Sequence, residues 1–157
     1  MVDEGILNLP PGERWYTFRQ PMRGKAEQLA AALVDPELIR QWWGPERITI
    51  VSIVSEPRVG GTRRIVVRSG ESPEMAFSGE YLVMEQPHRI QYTERFEQVG
   101  DASSTVTETI TETDGGLLLE QEVVFEEAEH RDAAFVMGME DGMRETLRRL
   151  AALVASM

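Results

Sequence analysis

The chain has 157 residues, of which 41% are hydrophobic, and this predicts one globular domain with a single core. Its 27 acidic and 16 basic side chains give a net charge of -11, which argues against nucleic acid and membrane surfaces as partners. The absence of cysteine excludes disulfide and thiolate chemistry and is compatible with a cytoplasmic protein.

The N-terminal residues carry acids where a signal peptide needs basic side chains, and no apolar run approaches about 18 residues. A soluble, unprocessed chain is therefore expected. Residues 1–13, which end in prolines and glycine, are expected to form a loose extension of a single domain over residues 1–157. The alternating run "WYTFRQ" that follows predicts the first strand.

Two short helices are predicted after this strand. The run "GKAEQLAAALV" is rich in strong helix formers. Asp35 supplies an N-cap and Pro36 a first helical residue for the second helix, which Gly44 and Pro45 end.

The middle of the chain, from Ile48 to Phe125, is divided by glycines and prolines into about six short segments with β-branched or alternating character. This pattern predicts an antiparallel meander. From about Ala128 to the end, apolar residues recur at helical spacing and predict one long amphipathic helix. Together these elements predict an α+β fold, in which a curved antiparallel sheet wraps the C-terminal helix and leaves a cavity between them.

Four segments in this order resemble the activator of heat-shock protein 90 ATPase homologue family: "DPELIRQWWGP", "EPRVGGTRR", "FSGEYLVMEQPHRIQYTERF" and "GMRETLRRLAAL". The resemblance covers nearly the whole chain from Arg14 onward. It implies a helix-grip fold of the START-like superfamily and a link to the stress response. Similar folds bind lipids, polyketides and hormones, act as cyclases or contact a chaperone, so the resemblance leaves the activity open.

The chain departs from the family pattern at four positions where the family usually has an aromatic side chain. Ala30, Arg63 and Met143 stand at three of them, and the fourth lies near Glu94. These departures leave open whether the chain binds any ligand that the family shares.

Metal, nucleotide and nucleophile signatures are missing from the sequence. His88 and His130 have no partner at metal-ligand spacing, so we expect no metal and no cofactor. Gly60 and Gly61 lack the lysine of a phosphate loop and predict a hairpin turn. The run "GESPE" lacks the nucleophile elbow of a hydrolase and also predicts a hairpin loop.

The adjacent tryptophans Trp42 and Trp43 are expected to differ in role, since two neighbouring indoles are rarely both buried. We expect Trp42 in the core, and Trp43 either in the core or at the rim of the cavity against a ligand or partner. Met137, Met139 and Met143 similarly suit an ordinary core or an adaptable apolar pocket. The residues expected to line the cavity are Trp43, Arg63, Phe77, Tyr81, Tyr92, Glu94, Phe96, Phe125, Met139 and Met143.

Within this cavity, Arg63 and Glu94 share strand parity with apolar neighbours and should both point inward. Hairpins closing at residues 69–74 and 85–88 place Gly79 between them, about 10 Å apart at the backbone. This register predicts a partly buried ion pair between Arg63 and Glu94, unless a bulge turns Arg63 to solvent.

Three functions remain open from the sequence. The first is binding of a small apolar or amphipathic molecule in the cavity. The second is a co-chaperone-like interaction with another protein, with a homodimer also possible. The third is cyclase or dehydratase chemistry in the same cavity, for which Glu94 is the one candidate acid or base.

Overall fold

The computed structural model of the protein describes residues 4–157 and has eight strands and four helices in that range. The strands form one antiparallel sheet in the order β1-β2-β8-β7-β6-β5-β4-β3, which confirms the predicted α+β helix-grip fold. The elements are β1 (Ile6–Asn8), β2 (Trp15–Met22), α1 (Ala26–Val34), α2 (Pro36–Trp42), β3 (Ile48–Ser55), β4 (Thr62–Ser69), β5 (Met75–Glu85), β6 (Arg89–Phe96), β7 (Ser103–Thr113), β8 (Gly116–Phe125), α3 (Ala128–Val136) and α4 (Met139–Ser156).

Strands β3 to β8 follow one another as hairpins, as the six predicted segments require. Strand β2 pairs with β8 and extends the sheet at its other side. Within the segment expected to be a loose extension, Ile6–Asn8 pair with β2 as strand β1. Residues 1–3 of that segment lie outside the described part of the chain.

The two short helices lie where the sequence predicts them. The Asp35 carboxylate accepts a hydrogen bond of 2.9 Å from the backbone N–H of Glu37 and so caps α2. Helix α2 ends at Trp42, and Gly44 follows with a φ of 79° that favours glycine.

The C-terminal segment is two helices, so the prediction of one continuous helix is wrong. Gly138 has a φ of 86°, and this left-handed conformation separates α3 from α4. Met137 lies at this break with 84% of its surface exposed. Helix α4 buries Leu147, Leu150 and Val154 and contacts β2, α1 and α2. Among residues 4–157, no helix is both long enough and apolar enough to cross a membrane.

Candidate functional site

Arg63 lies on the inner face of β4 with only 3% of its surface exposed. It is paired with Gly79 of β5, in the register that the sequence predicts. A Cβ atom on Gly79 would lie 1.6 Å from the backbone oxygen of Thr93, so this position requires glycine. The backbone of Thr93 therefore occupies the place that a side chain of Gly79 would take.

The predicted ion pair between Arg63 and Glu94 is not formed. No nitrogen of Arg63 lies within 4.0 Å of a carboxylate oxygen of Glu94. The Nη1 atom of Arg63 instead donates to the backbone oxygen of Leu33 at 2.9 Å and to the Tyr81 hydroxyl at 3.0 Å. The guanidinium carbon also lies 4.3 Å from the centre of the Tyr92 ring. Helix α1 and the two tyrosines therefore hold the arginine in place of the acid.

A buried carboxylate that the sequence analysis missed completes this arrangement. Glu108 of β7 is 1% exposed, and its Oε1 atom accepts hydrogen bonds from the Tyr92 hydroxyl at 3.2 Å and from Gln121 Nε2 at 2.8 Å. In the sequence, Glu108 lies two residues from the apolar Val106 and Ile110. This alternation could have indicated that its side chain points inward. We call Arg63, Tyr81, Tyr92, Glu94 and Glu108 the polar centre.

Two buried atoms of the polar centre have no hydrogen-bond partner within residues 4–157. They are Nε of Arg63, a donor, and Oε2 of Glu108, an acceptor. Buried polar groups are normally hydrogen-bonded to protein or to water, so each unsatisfied atom requires a partner such as water or a ligand.

Burial determines the protonation of the acids in the polar centre. It raises the pKa of Glu94 above its usual value, although the nearby charge of Arg63 opposes this effect. Burial also raises the pKa of Glu108, against the hydrogen bond from Gln121 and the charge of Arg63. The neutral, proton-donating form of each acid is thus favoured relative to an exposed glutamate.

We use the term open end for a set of half-buried apolar side chains. Two of them, Phe77 and Phe96, stand two residues from Gly79 and Glu94 on β5 and β6. The rings of Phe77 and Phe96 stack with centres 5.0 Å apart, and Trp43 lies 5.1 Å from Phe77. By contrast, Trp42 is 4% exposed and donates from Nε1 to the backbone oxygen of Ala32, in the core as predicted. The members of the open end are Trp43, Phe77, Phe96, Phe125, Met139 and Met143.

The ten residues predicted to line a cavity thus fall into two groups. Arg63, Tyr81 and Tyr92 are buried, whereas Glu94 and the six members of the open end are half-buried. The enclosed cavity expected between sheet and helix stays a prediction. Two open depressions lie elsewhere on the surface. One is lined by Glu46, Glu145, Arg148, Arg149 and Ala152, and the other by Glu27, Ala30, Ala31, Gln86 and Pro87.

The two histidines lie on the surface and apart from the polar centre. His88 is 3.7 Å from a carboxylate oxygen of Glu112, and His130 is 3.8 Å from one of Glu127. No group of three or more histidine, aspartate or glutamate side chains in the described part of the chain is arranged to hold a metal ion.

Comparisons with known proteins agree with the fold. The sequence profile of the family described as "Activator of Hsp90 ATPase homolog 1-like protein" matches residues 23–155. No curated protein matches the chain by sequence.

Several solved structures share the fold. A protein from Rhodobacter sphaeroides is 29% identical with a TM-score of 0.90, over 99% of this chain and 100% of that one. A protein from Mycobacterium smegmatis is 19% identical with a TM-score of 0.84, over 97% of both chains. The AHSA1 protein from Silicibacter pomeroyi is 23% identical with a TM-score of 0.70, over 88% of this chain and 97% of that one.

Proposed function

Because the chain belongs to the Activator of Hsp90 ATPase homolog 1-like protein family, whose fold suits ligand-binding and co-chaperone-like domains, we propose that it binds a small amphipathic molecule. The ligand enters at the open end and directs its polar group to the polar centre. Its apolar part contacts the rings and thioethers of the open end.

One observation supports this proposal: the half-buried rings of Phe77 and Phe96 stand two residues from Gly79 and Glu94, near buried polar atoms that have no partner within residues 4–157. Ligand sites in proteins are mainly apolar and contain a few placed polar groups. The open end supplies the apolar part, and Arg63 Nε and Glu108 Oε2 supply polar atoms that still require partners. Flexible methionines such as Met139 and Met143 can move to admit a ligand.

Native mass spectrometry of the protein purified from its own host tests the proposal. We expect a retained small molecule that is lost on denaturation. The methyl signals of Met139 and Met143 should shift in NMR spectra when that molecule is returned to the stripped protein, while exposed Met137 serves as the control. A stripped protein that takes up nothing, with unchanged methyl signals, contradicts the proposal.

A second candidate is a co-chaperone-like contact with another protein. Val136 and Met137 at the break between α3 and α4 are 86% and 84% exposed, and such side chains can anchor a partner. If this candidate is right, the native spectrum retains a protein, and the double substitution Val136→Ser with Met137→Gln releases it without lowering stability. Acid or base catalysis by Glu94 is a third candidate, favoured by the raised pKa of that carboxyl.

A further inference from the structure

We propose that the polar group of the ligand is a carboxylate, which binds to the Nε and Nη2 edge of Arg63. This inference rests on the proposed function and specifies its ligand class. It assigns Arg63 as the residue that selects the ligand.

The hydrogen bonds of Arg63 are distributed unevenly over its guanidinium. Both bonds, to Leu33 and Tyr81, come from Nη1. Within residues 4–157, Nε has no hydrogen-bond partner, and neither of the two bonds of the guanidinium comes from Nη2. Two parallel N–H groups along one edge of a guanidinium match the two oxygens of a carboxylate. The free edge of Arg63 is therefore a preformed bidentate site.

No carboxylate of the protein occupies that edge. Glu94 faces Arg63 across Gly79 but stays beyond 4.0 Å. Glu108 is held at Oε1 by Tyr92 and Gln121. A buried guanidinium without a directly paired anion is costly, and a ligand carboxylate would remove that cost.

The surface charge of the protein disfavours anions in general. With a net charge of -11, the diffuse field repels a carboxylate, so any preference for one must arise locally. Arg63 is a buried cation that can supply it, whereas the other buried arginine, Arg131, is paired with Asp132 at 2.9 Å. This argument separates specific binding at Arg63 from weak attraction to surface arginines.

Binding of a carboxylate is coupled to a proton on Glu94. The charged groups that face Glu94 are Arg63, Glu108 and the ligand, while Tyr16 and Tyr92 stay neutral because burial raises the pKa of both. Two carboxylates beside one arginine repel each other unless one is protonated. Since burial already raises the pKa of Glu94, that residue takes the proton. Affinity should therefore fall as the pH rises.

The test compares octanoate with 1-octanol, which has the same chain length and a neutral polar group. Binding to the full-length protein is measured by calorimetry from about pH 5.5 to about pH 8, and the methyl signals of Met139 and Met143 report the location. We expect octanoate to bind at least about tenfold more tightly than octanol, the value of one strong charge-assisted contact.

Three variants assign this preference to the polar centre. Arg63→Gln should abolish the preference, so that octanoate and octanol bind to the variant with similar affinity. Glu94→Gln should tighten octanoate binding at about pH 8 and remove its pH dependence. Arg64→Gln is the matched control, because Arg64 is adjacent on the same strand but points outward and pairs with Glu97 at 2.9 Å. If the Arg63→Gln variant does not fold, Glu94→Gln still tests the assignment. This substitution of a half-buried residue is expected to tighten octanoate binding, which is the opposite of the effect expected for Arg63→Gln.

The outcomes separate this inference from the proposed function. Equal binding of octanoate and octanol, with methyl shifts, overturns the carboxylate assignment and leaves the binding function standing. Weaker octanoate binding in Glu94→Gln, or an equal loss in Arg64→Gln, also overturns the assignment. Failure of both probes to bind or to shift the methyl signals contradicts the binding function itself.

Discussion

Tyr92 joins the buried cation Arg63 to the buried acid Glu108. The guanidinium carbon of Arg63 lies 4.3 Å from the centre of the Tyr92 ring, and the hydroxyl of the same ring donates to Glu108 at 3.2 Å. A cation over the face of a ring is stabilised by the ring quadrupole, more so when the pair is removed from water. The arginine is thus held by an aromatic face and the acid by its hydroxyl, with no direct ion pair.

The hydroxyl of Tyr81 should contribute measurably to stability. It accepts from Arg63 Nη1 at 3.0 Å and shares a hydrogen bond of 2.6 Å with Ser55 Oγ. Tyr81→Phe leaves a buried charged donor with one partner fewer, so we expect the free energy of unfolding to fall by about 1 to 3 kcal/mol. Urea unfolding measures the change.

Tyr16→Phe is the matched control for this prediction. Tyr16 is also buried, at 5% exposure, but its hydroxyl is not a partner of Arg63. We expect its loss to change the free energy of unfolding by less than about 1 kcal/mol. Equal losses in the two variants would contradict a special role for the Tyr81 hydroxyl.

The sequence predicted the sheet well because its signals are local. Glycines and prolines separate six segments, and strand parity places Arg63 opposite Gly79. The break at Gly138 was missed because Phe135 and Met139 keep helical spacing across it, so periodicity alone does not reveal a left-handed glycine. Strand β1 has three residues, too few for an alternating pattern.

The polar centre was predicted only in part because its contacts are tertiary. The alternation of residues along β4 predicted that the side chain of Arg63 points inward. The choice of Leu33 as a partner depends on how α1 packs over the sheet, which no spacing in the sequence specifies. The expected ion pair between Arg63 and Glu94 is absent for this reason. The backbone oxygen of Leu33 and the hydroxyl of Tyr81 accept the hydrogen bonds of Arg63 instead.

Gly79→Ala should strongly destabilise the protein. The new Cβ would lie 1.6 Å from the backbone oxygen of Thr93, and a backbone atom cannot move aside without disturbing the pairing of β5 and β6. We expect a loss of about 3 kcal/mol or more in the free energy of unfolding. Gly142→Ala in helix α4 provides the contrast, since its Cβ has open space and alanine should add up to about 1 kcal/mol. Urea unfolding measures both variants. An unchanged free energy of unfolding in Gly79→Ala would contradict the requirement for glycine at this position.

Asp35→Ala should weaken the start of helix α2. The side chain accepts from the Glu37 N–H at 2.9 Å, and loss of an N-cap of this kind costs about 0.5 to 2 kcal/mol. Asp35→Asn keeps an acceptor oxygen in the same place and should cost much less. Thermal unfolding compares the two. Similar melting temperatures for the alanine and asparagine variants would show that the cap does not stabilise the fold.

The buried acid Glu108 should make the protein less stable as the pH rises. Burial raises its pKa in the folded state above the ordinary value of 4.5. Between these two pKa values the folded chain binds more protons than the unfolded chain, so the free energy of unfolding falls with rising pH. One such group can change the free energy of unfolding by at most about 1.4 kcal/mol per pH unit. The stabilising effect of the proton is complete below about pH 4.5 and is lost as the pH passes the folded-state pKa.

Glu108→Gln should remove this contribution, because glutamine keeps an oxygen to accept from Tyr92 and Gln121 but does not titrate. Relative to the wild-type protein, the variant should therefore gain stability as the pH rises from about 4.5 to about 8. Exposed Glu112 lies on the same strand, and Glu112→Gln is the control that should leave the slope unchanged. Urea unfolding at several pH values measures all three proteins. Parallel pH curves for Glu108→Gln and the wild type would mean that the buried carboxyl keeps an ordinary pKa and that the unpartnered Oε2 atom is satisfied by water.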